Sequence, residues 1–188
     1  MPAEWTAWKL PTTATKIGSG WNEANLNNLL TENNQFISFS SGLTADARVN
    51  NFAFPDIPEG ATIAGIQFRL KYRDSQSRIA MVQLRVQTTA GTNAGTEQGS
   101  SSLFLPVSGS LAFLTVGDET NLFGLSSLTK AQAIDAGFGF FFRMQNLDNA
   151  ESSPNCEADV AQARIAYTQS ATRLFKPAQG SLKLGARL

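Results

Sequence analysis

Between residues 61 and 73 apolar and polar side chains alternate: Ala64, Ile66, Phe68, Leu70 and Tyr72 against Gly65, Gln67, Arg69, Lys71 and Arg73. Successive side chains of a strand point to opposite faces, so this run predicts a long strand with one buried face and one wet, basic face. Alternation resumes after Asp74-Ser75-Gln76-Ser77, with Ala80, Val82, Leu84 and Val86 against Met81, Gln83, Arg85 and Gln87. The two runs predict a long antiparallel hairpin closed by a polar four-residue turn. Ile57-Pro58-Glu59-Gly60-Ala61-Thr62-Ile63 introduces the first run, with Pro58 fixing φ and Gly60 permitting a positive φ in the turn.

Further strands are expected at residues 35–40, 48–54, 103–108, 111–116, 137–144 and 159–168, with turn-rich stretches at 91–102, 117–121 and 146–155. Residues 128–136 read as one short helix with Thr129 as its N-cap. Many short strands and little helix define an all-β fold. The expectation is an antiparallel two-sheet sandwich or jelly roll with one short helix and extended N- and C-terminal arms.

The length of 188 residues fits one domain with arms. Its 15 basic and 15 acidic side chains exclude a nucleic-acid binder that works by bulk positive charge. With no histidine there is no Ser-His-Asp or Cys-His catalysis and no His-ligated metal. The single cysteine, Cys156, excludes an intrachain disulfide and a Cys-rich zinc site, and no histidine is present to activate it. Asp118-Glu119 and Glu157/Asp159 are the tightest acidic groupings. They lack calcium-loop spacing and read as solvated turns, although paired carboxylates alone can serve a glycosidase. No catalytic residue, cofactor or metal is expected. The start of the chain, with Glu4 and no apolar run, lacks the features of a signal peptide. The longest uncharged stretch, residues 98–117, is too broken by Ser, Gly and Pro106 to span a membrane.

Charge is distributed unevenly. Residues 171–188 hold Arg173, Lys176, Lys183 and Arg187 and no acid, which leaves residues 1–170 with 11 bases against 15 acids, a net −4. The chain therefore reads as an N-terminal arm and loop at 1–34, a sandwich at 35–170 and a basic extended tail at 171–188. All three tryptophans, Trp5, Trp8 and Trp21, lie in the lead segment, where they fit core or interface anchors better than a sugar-stacking platform. In Gly137-Phe138-Gly139-Phe140-Phe141-Phe142 three rings share one face and Phe141 takes the other, which predicts burial on both sides, the outer one by a partner chain. The spacing is not that of a phosphate loop, and the glycines mark close backbone approach. Leu174, Phe175 and Leu182 in the tail need an apolar surface, and Lys176 and Arg187 accompany them. Trp5, Trp8, Trp21, Phe141, Leu174, Phe175, Lys176, Leu182 and Arg187 are thus the candidate subunit-interface residues. Arg69, Lys71, Arg73 and Arg85 are expected to share the wet face of the hairpin, with no aromatic among them for base stacking.

Six stretches recur in a recognisable order. They are Trp21-Asn22-Glu23-Ala24-Asn25, Ile57-Pro58-Glu59-Gly60-Ala61-Thr62-Ile63-Ala64-Gly65-Ile66 and Asn121-Leu122-Phe123-Gly124-Leu125. Leu128-Thr129-Lys130-Ala131-Gln132, Phe138-Gly139 and Ala163-Arg164-Ile165-Ala166-Tyr167 follow. Over residues 20–168 this order resembles a family of uncharacterised tailed-phage and prophage virion proteins. The departures are Phe123 where that family has Trp and Lys130 where Pro is common. The resemblance implies a β-sandwich in a virion, assembled in the host cytoplasm with other virion proteins as partners, and the charge and composition add the expectation of neither membrane nor direct nucleic-acid contact.

On this basis the leading expectation is a non-enzymatic head decoration or cement protein that stabilises a capsid through contacts of its sandwich and arms with the major capsid protein. A tail, baseplate or fibre component is the first alternative, and a carbohydrate-binding module for host recognition the second. A homo-oligomer is expected, a trimer by analogy with other virion sandwiches.

Overall fold

The alternating run becomes a 13-residue strand of one sheet in a computed structural model that describes residues 2–39, 44–74, 78–89, 91–104, 109–147 and 156–169. In chain order the strands among these residues are Glu4–Trp5 (β1), Thr13–Ile17 (β2), Ile37–Phe39 (β3), Thr44–Asn50 (β4) and Thr62–Asp74 (β5). Ile79–Thr89 (β6), Thr92–Ala94 (β7), Ala112–Asp118 (β8), Gly139–Asn146 (β9) and Cys156–Thr168 (β10) complete the set. The first sheet has the order β1-β10-β5-β8, with β3 also paired to β10. The second has the order β2-β4-β9-β6-β7. Every pairing is antiparallel. The fold is an all-β two-sheet sandwich, and no helix among the described residues is long and apolar enough to cross a membrane.

The core lies between the sheets. Ile66, Phe68, Leu70 and Tyr72 of β5 are wholly buried and face Phe140, Phe142 and Met144 of β9. Phe68 reaches across to Phe140 and Phe142 at ring-centroid distances of 4.8 and 5.7 Å, which joins the two sheets through one aromatic stack. Gly139 lets strands approach: a Cβ there would stand 2.1 Å from the carbonyl oxygen of Val49. One short helix, Lys130–Ile134 (α1), opens on a capping box in which Thr129 Oγ1 accepts from the Gln132 amide and Gln132 Oε1 accepts from the Thr129 amide.

The expected hairpin is not formed. β5 pairs with β10 and β8, whereas β6 pairs with β9 and β7, so the chain crosses from one sheet to the other between the two runs. The buried Tyr72 hydroxyl donates to the Ile79 carbonyl at 3.0 Å, which ties the two ends of this crossing together. Alternation specifies the buried face of a strand and leaves its hydrogen-bonding neighbour open. The phase of β6 also differs. A bulge between Met81 and Gln83 puts Ile79 and Met81 into the core with Leu84 and Val86, in place of Ala80 and Val82.

Residues 2–34, expected as an arm, are built into the sandwich. β1 extends the first sheet and β2 the second. Trp21, Leu26 and Leu29 belong to the core. The strand expected at 48–54 begins earlier and ends at Asn50, because Asn51 and Ala53 take φ of 61° and 47°, while Phe52 and Phe54 still reach the core. Near 103–108 only an isolated bridge from Phe104 to Ala80 is formed among the described residues.

Candidate functional site

The outward face of the first sheet carries an arrangement that begins with register. Gln162 of β10 stands opposite Arg69 of β5, and Arg164 stands opposite Gln67. Each arginine takes the glutamine across from it: Arg69 Nε donates to Gln162 Oε1 and Arg164 Nε donates to Gln67 Oε1, both at 2.7 Å. Gln67 Nε2 in turn donates to the Gly117 carbonyl at 3.1 Å. Both guanidinium groups are thereby fixed in position over the sheet.

Aromatic rings from three other segments close around them. β1 runs antiparallel to the end of β10, with Trp5 opposite Ala166, and a bridge from Lys9 to Ala163 continues that path. Trp8 lies between these two points. The guanidinium carbon of Arg164 sits 4.3 Å from the centre of the Trp5 ring and 4.5 Å from that of Trp8. The guanidinium of Arg69 sits 3.9 Å from the Trp8 ring and 3.9 Å from the ring of Phe113 on β8. The result is a ladder in which rings and cations alternate: Trp5, Arg164, Trp8, Arg69, Phe113. Such contacts contribute roughly 0.5–1 kcal/mol each at exposed sites and more as water is excluded.

The charges on this face are not treated alike. Lys71 bonds Glu32 at 2.8 Å and lies 3.3 Å from Asp159, and Arg73 pairs with Glu157. The hydrogen bond that it donates to Glu32 holds the Lys71 ammonium above its ordinary pKa. Arg69 and Arg164 have no ion-pair partner among the described residues. Burial beneath the rings lowers the pKa of both from the ordinary guanidinium value. Glu32 acts on Arg69 at longer range while bonded to Lys71. Each arginine uses its Nε on a glutamine, so the two Nη nitrogens at the end of each fork remain for an acceptor.

This geometry corrects several expectations. Arg85 lies on the second sheet, on the opposite side of the molecule from Arg69, Lys71 and Arg73, because the two runs are not a hairpin. Aromatics do interleave with the basic side chains of the first sheet, through Trp8, Phe113 and Phe36, the last 5.0 Å from Arg73. Glu157 and Asp159 are on β10, not in a solvated turn. Asp159 is fully buried, where its Oδ1 accepts from the backbone amides of Asn33 and Asn34 at 3.2 and 3.1 Å. Asp118 and Glu119 are exposed, and the Thr120 backbone and hydroxyl bonds hold the Asp118 carboxyl below its usual range.

Of the candidate interface residues, Trp5 and Trp8 come together in the ladder. Trp21 is not at a surface: it is 1% exposed, packs edge-on to Phe39 and Phe142, and donates from Nε1 to the Asp46 carbonyl. Phe141 faces outward on the second sheet between Arg48 and Arg85, its cross-strand neighbours, and is 8% exposed within the single chain. No partner is needed to cover it. Arg48 beside it has an enclosed Nε with no acceptor among the described residues. Leu174, Phe175, Lys176, Leu182 and Arg187 lie outside the described residues. Cys156 is wholly buried, and burial pushes its thiol well above the usual range, which leaves it a poor nucleophile. Sequence reasoning missed Arg69, Arg164 and Phe113 as members of one site. The available signal was that all three occupy the polar phase of alternating strands.

No family model and no curated protein matches the chain. Among solved structures, a xylan-binding module, CBM15, resembles it at 12% identity and a TM-score of 0.30, covering 85% of this chain and 99% of that one. At that level of similarity, nothing about xylan passes to this protein.

Proposed function

We propose that the chain is a non-enzymatic structural protein of a tailed-phage particle, a decoration or cement subunit that works through protein contacts. The observation that supports this reading is where the six stretches that resemble the virion family fall. Each has a framing task. The stretch from Ile57 to Ile66 turns the chain into β5, with Gly60 at φ 72°. Asn121 Oδ1 accepts from the Phe123 amide at 2.7 Å and so helps hold Phe123 at φ 57°, with its ring buried against Phe140. The Leu128 stretch supplies the capping box, Phe138-Gly139 a core ring and the close approach at the start of β9, and Trp21 the joint between the sheets. The Ala163 stretch is the part of β10 that receives both β5 and the N-terminal segment. A frame built from these stretches suits a rigid block that adds buried area across neighbouring subunits, coupling the release of one to the breaking of several contacts.

The tryptophans give the carbohydrate-binding reading little support. Trp21 is internal, and two guanidinium groups already lie over the Trp8 ring. Labelling the protein on purified particles tests the proposal. Copies spread over the head lattice support a cement role, copies confined to the tail move it to a tail, baseplate or fibre component, and absence from particles overturns it. Deleting residues 172–188 tests the tail: incorporation is expected to fall, and wild-type incorporation would remove the tail from the mechanism.

A further inference from the structure

We infer that the ring and guanidinium ladder on the first sheet is a docking site for carboxylates, presented by an acidic segment of a neighbouring protein. This inference rests on the reading of the chain as a protein that works through protein contacts. Two half-buried cations with no direct ion pair among the described residues, Arg69 feeling Glu32 only at longer range, carry a desolvation cost that a bound anion offsets. The other two cations of the same face, Lys71 and Arg73, already have carboxylate partners. Arg69 and Arg164 are pre-ordered for binding, since rings hold their planes and glutamines hold their Nε. What remains is the end of each fork, the edge that receives a carboxylate through two parallel hydrogen bonds.

Charge arrangement selects the occupant. A nucleic acid requires a run of cations along its phosphates, and here only two open cations stand on a domain whose residues 1–170 carry a net −4. A carboxylated glycan would use exposed ring faces, and both arginines lie over Trp8. Two discrete carboxylates on a protein strand or turn match two discrete forks.

The experiment follows the indole N–H signals of the full chain by NMR while a hexaglutamate peptide is added. The Trp5 and Trp8 signals are expected to move and saturate. The Trp21 signal, buried and bonded to the Asp46 carbonyl, is expected to stay in place. The double variant Arg69→Gln, Arg164→Gln is expected to lose binding by about tenfold or more, with an unmoved Trp21 signal reporting an intact fold. Should that variant unfold, Arg69→Lys with Arg164→Lys keeps the charge and removes the fork, and binding is expected to weaken by roughly three- to tenfold. Equal movement of all three tryptophans, no movement, or undiminished binding by either variant would overturn the inference. So would tighter binding of oligothymidylate or oligogalacturonate than of the peptide. A chain that ignores hexaglutamate yet still incorporates into particles loses this site alone, whereas binding without incorporation removes the virion reading and leaves the site.

Discussion

The two outward faces of the sandwich use arginine in opposite ways. On the second sheet Arg143 grips Asp46 through two bonds of 2.6 Å, and Arg85 meets Glu97 at 3.1 Å. On the first sheet Arg69 and Arg164 are surrounded by rings and amides, with no carboxylate in contact among the described residues. Their pKa values move accordingly. The hydrogen bonds that Arg143 donates to Asp46 raise its pKa, while burial lowers those of Arg69 and Arg164. Arg143 and Arg85 are neutralised within the chain, whereas Arg69 and Arg164 are held open by the architecture around them. A surface kept in that state at a cost in stability is suited to contact rather than to solvation.

The tryptophans divide in the same way, which gives the largest expected effects. Trp21→Ala removes a ring that touches both sheets and is expected to cost about 3–5 kcal/mol in urea unfolding. Trp8→Ala removes a half-buried ring from the outside of one sheet and is expected to cost about 1–2 kcal/mol, through lost cation–π contacts and covered area. Equal losses would mean that the ladder is part of the core and would end the distinction between frame and face.

A smaller contrast tests the arginines themselves. Asp46→Asn weakens two charge-assisted bonds and leaves Arg143 without its counter-charge, at an expected cost of about 1–2 kcal/mol. Arg164→Gln is expected to cost less than about 1 kcal/mol, because the lost ring contacts are offset by relief of a desolvated charge. If Arg164→Gln were the more damaging of the two, its guanidinium would be a structural element and the first face would not be an open site.

Much of the frame was legible in the sequence because burial imposes period two. The inward set Ile66, Phe68, Leu70 and Tyr72, the rings of Phe138, Phe140 and Phe142, and the Thr129 cap all stand where the pattern places them. Pairing was not legible. A polar turn between two alternating runs serves a hairpin and a crossing between sheets equally well, and the tertiary pairing, with Phe68 packed across on Phe140 and Phe142, distinguishes them. Bulges were hidden as well, since the extra residue opposite Ala166 exchanges Ala64 for Ile63 in the core without marking the composition. The ladder was hidden for a third reason. Its members come from residues 5, 8, 69, 113 and 164, and only the strand order β1-β10-β5-β8 brings them together.

The smallest effect separates the cations of the first face from one another, by pH. Lys71 has a raised pKa in the folded chain because it donates to Glu32 and meets Asp159. A base whose folded pKa lies above its unfolded one contributes stability that is complete below the unfolded value, about 10.4 for lysine, and disappears as pH rises through the folded value. Arg69 and Arg164 have lowered values, but a guanidinium stays charged over the range in which lysine titrates, so neither contributes to the alkaline slope. Wild-type unfolding midpoints in urea are therefore expected to fall at alkaline pH, and Lys71→Met is expected to flatten part of that fall. Arg164→Gln is expected to leave the alkaline slope unchanged. A slope that survived Lys71→Met in full would show that Glu32 and Asp159 do not hold this lysine, and the contrast between paired and open cations on one face would lose its paired member.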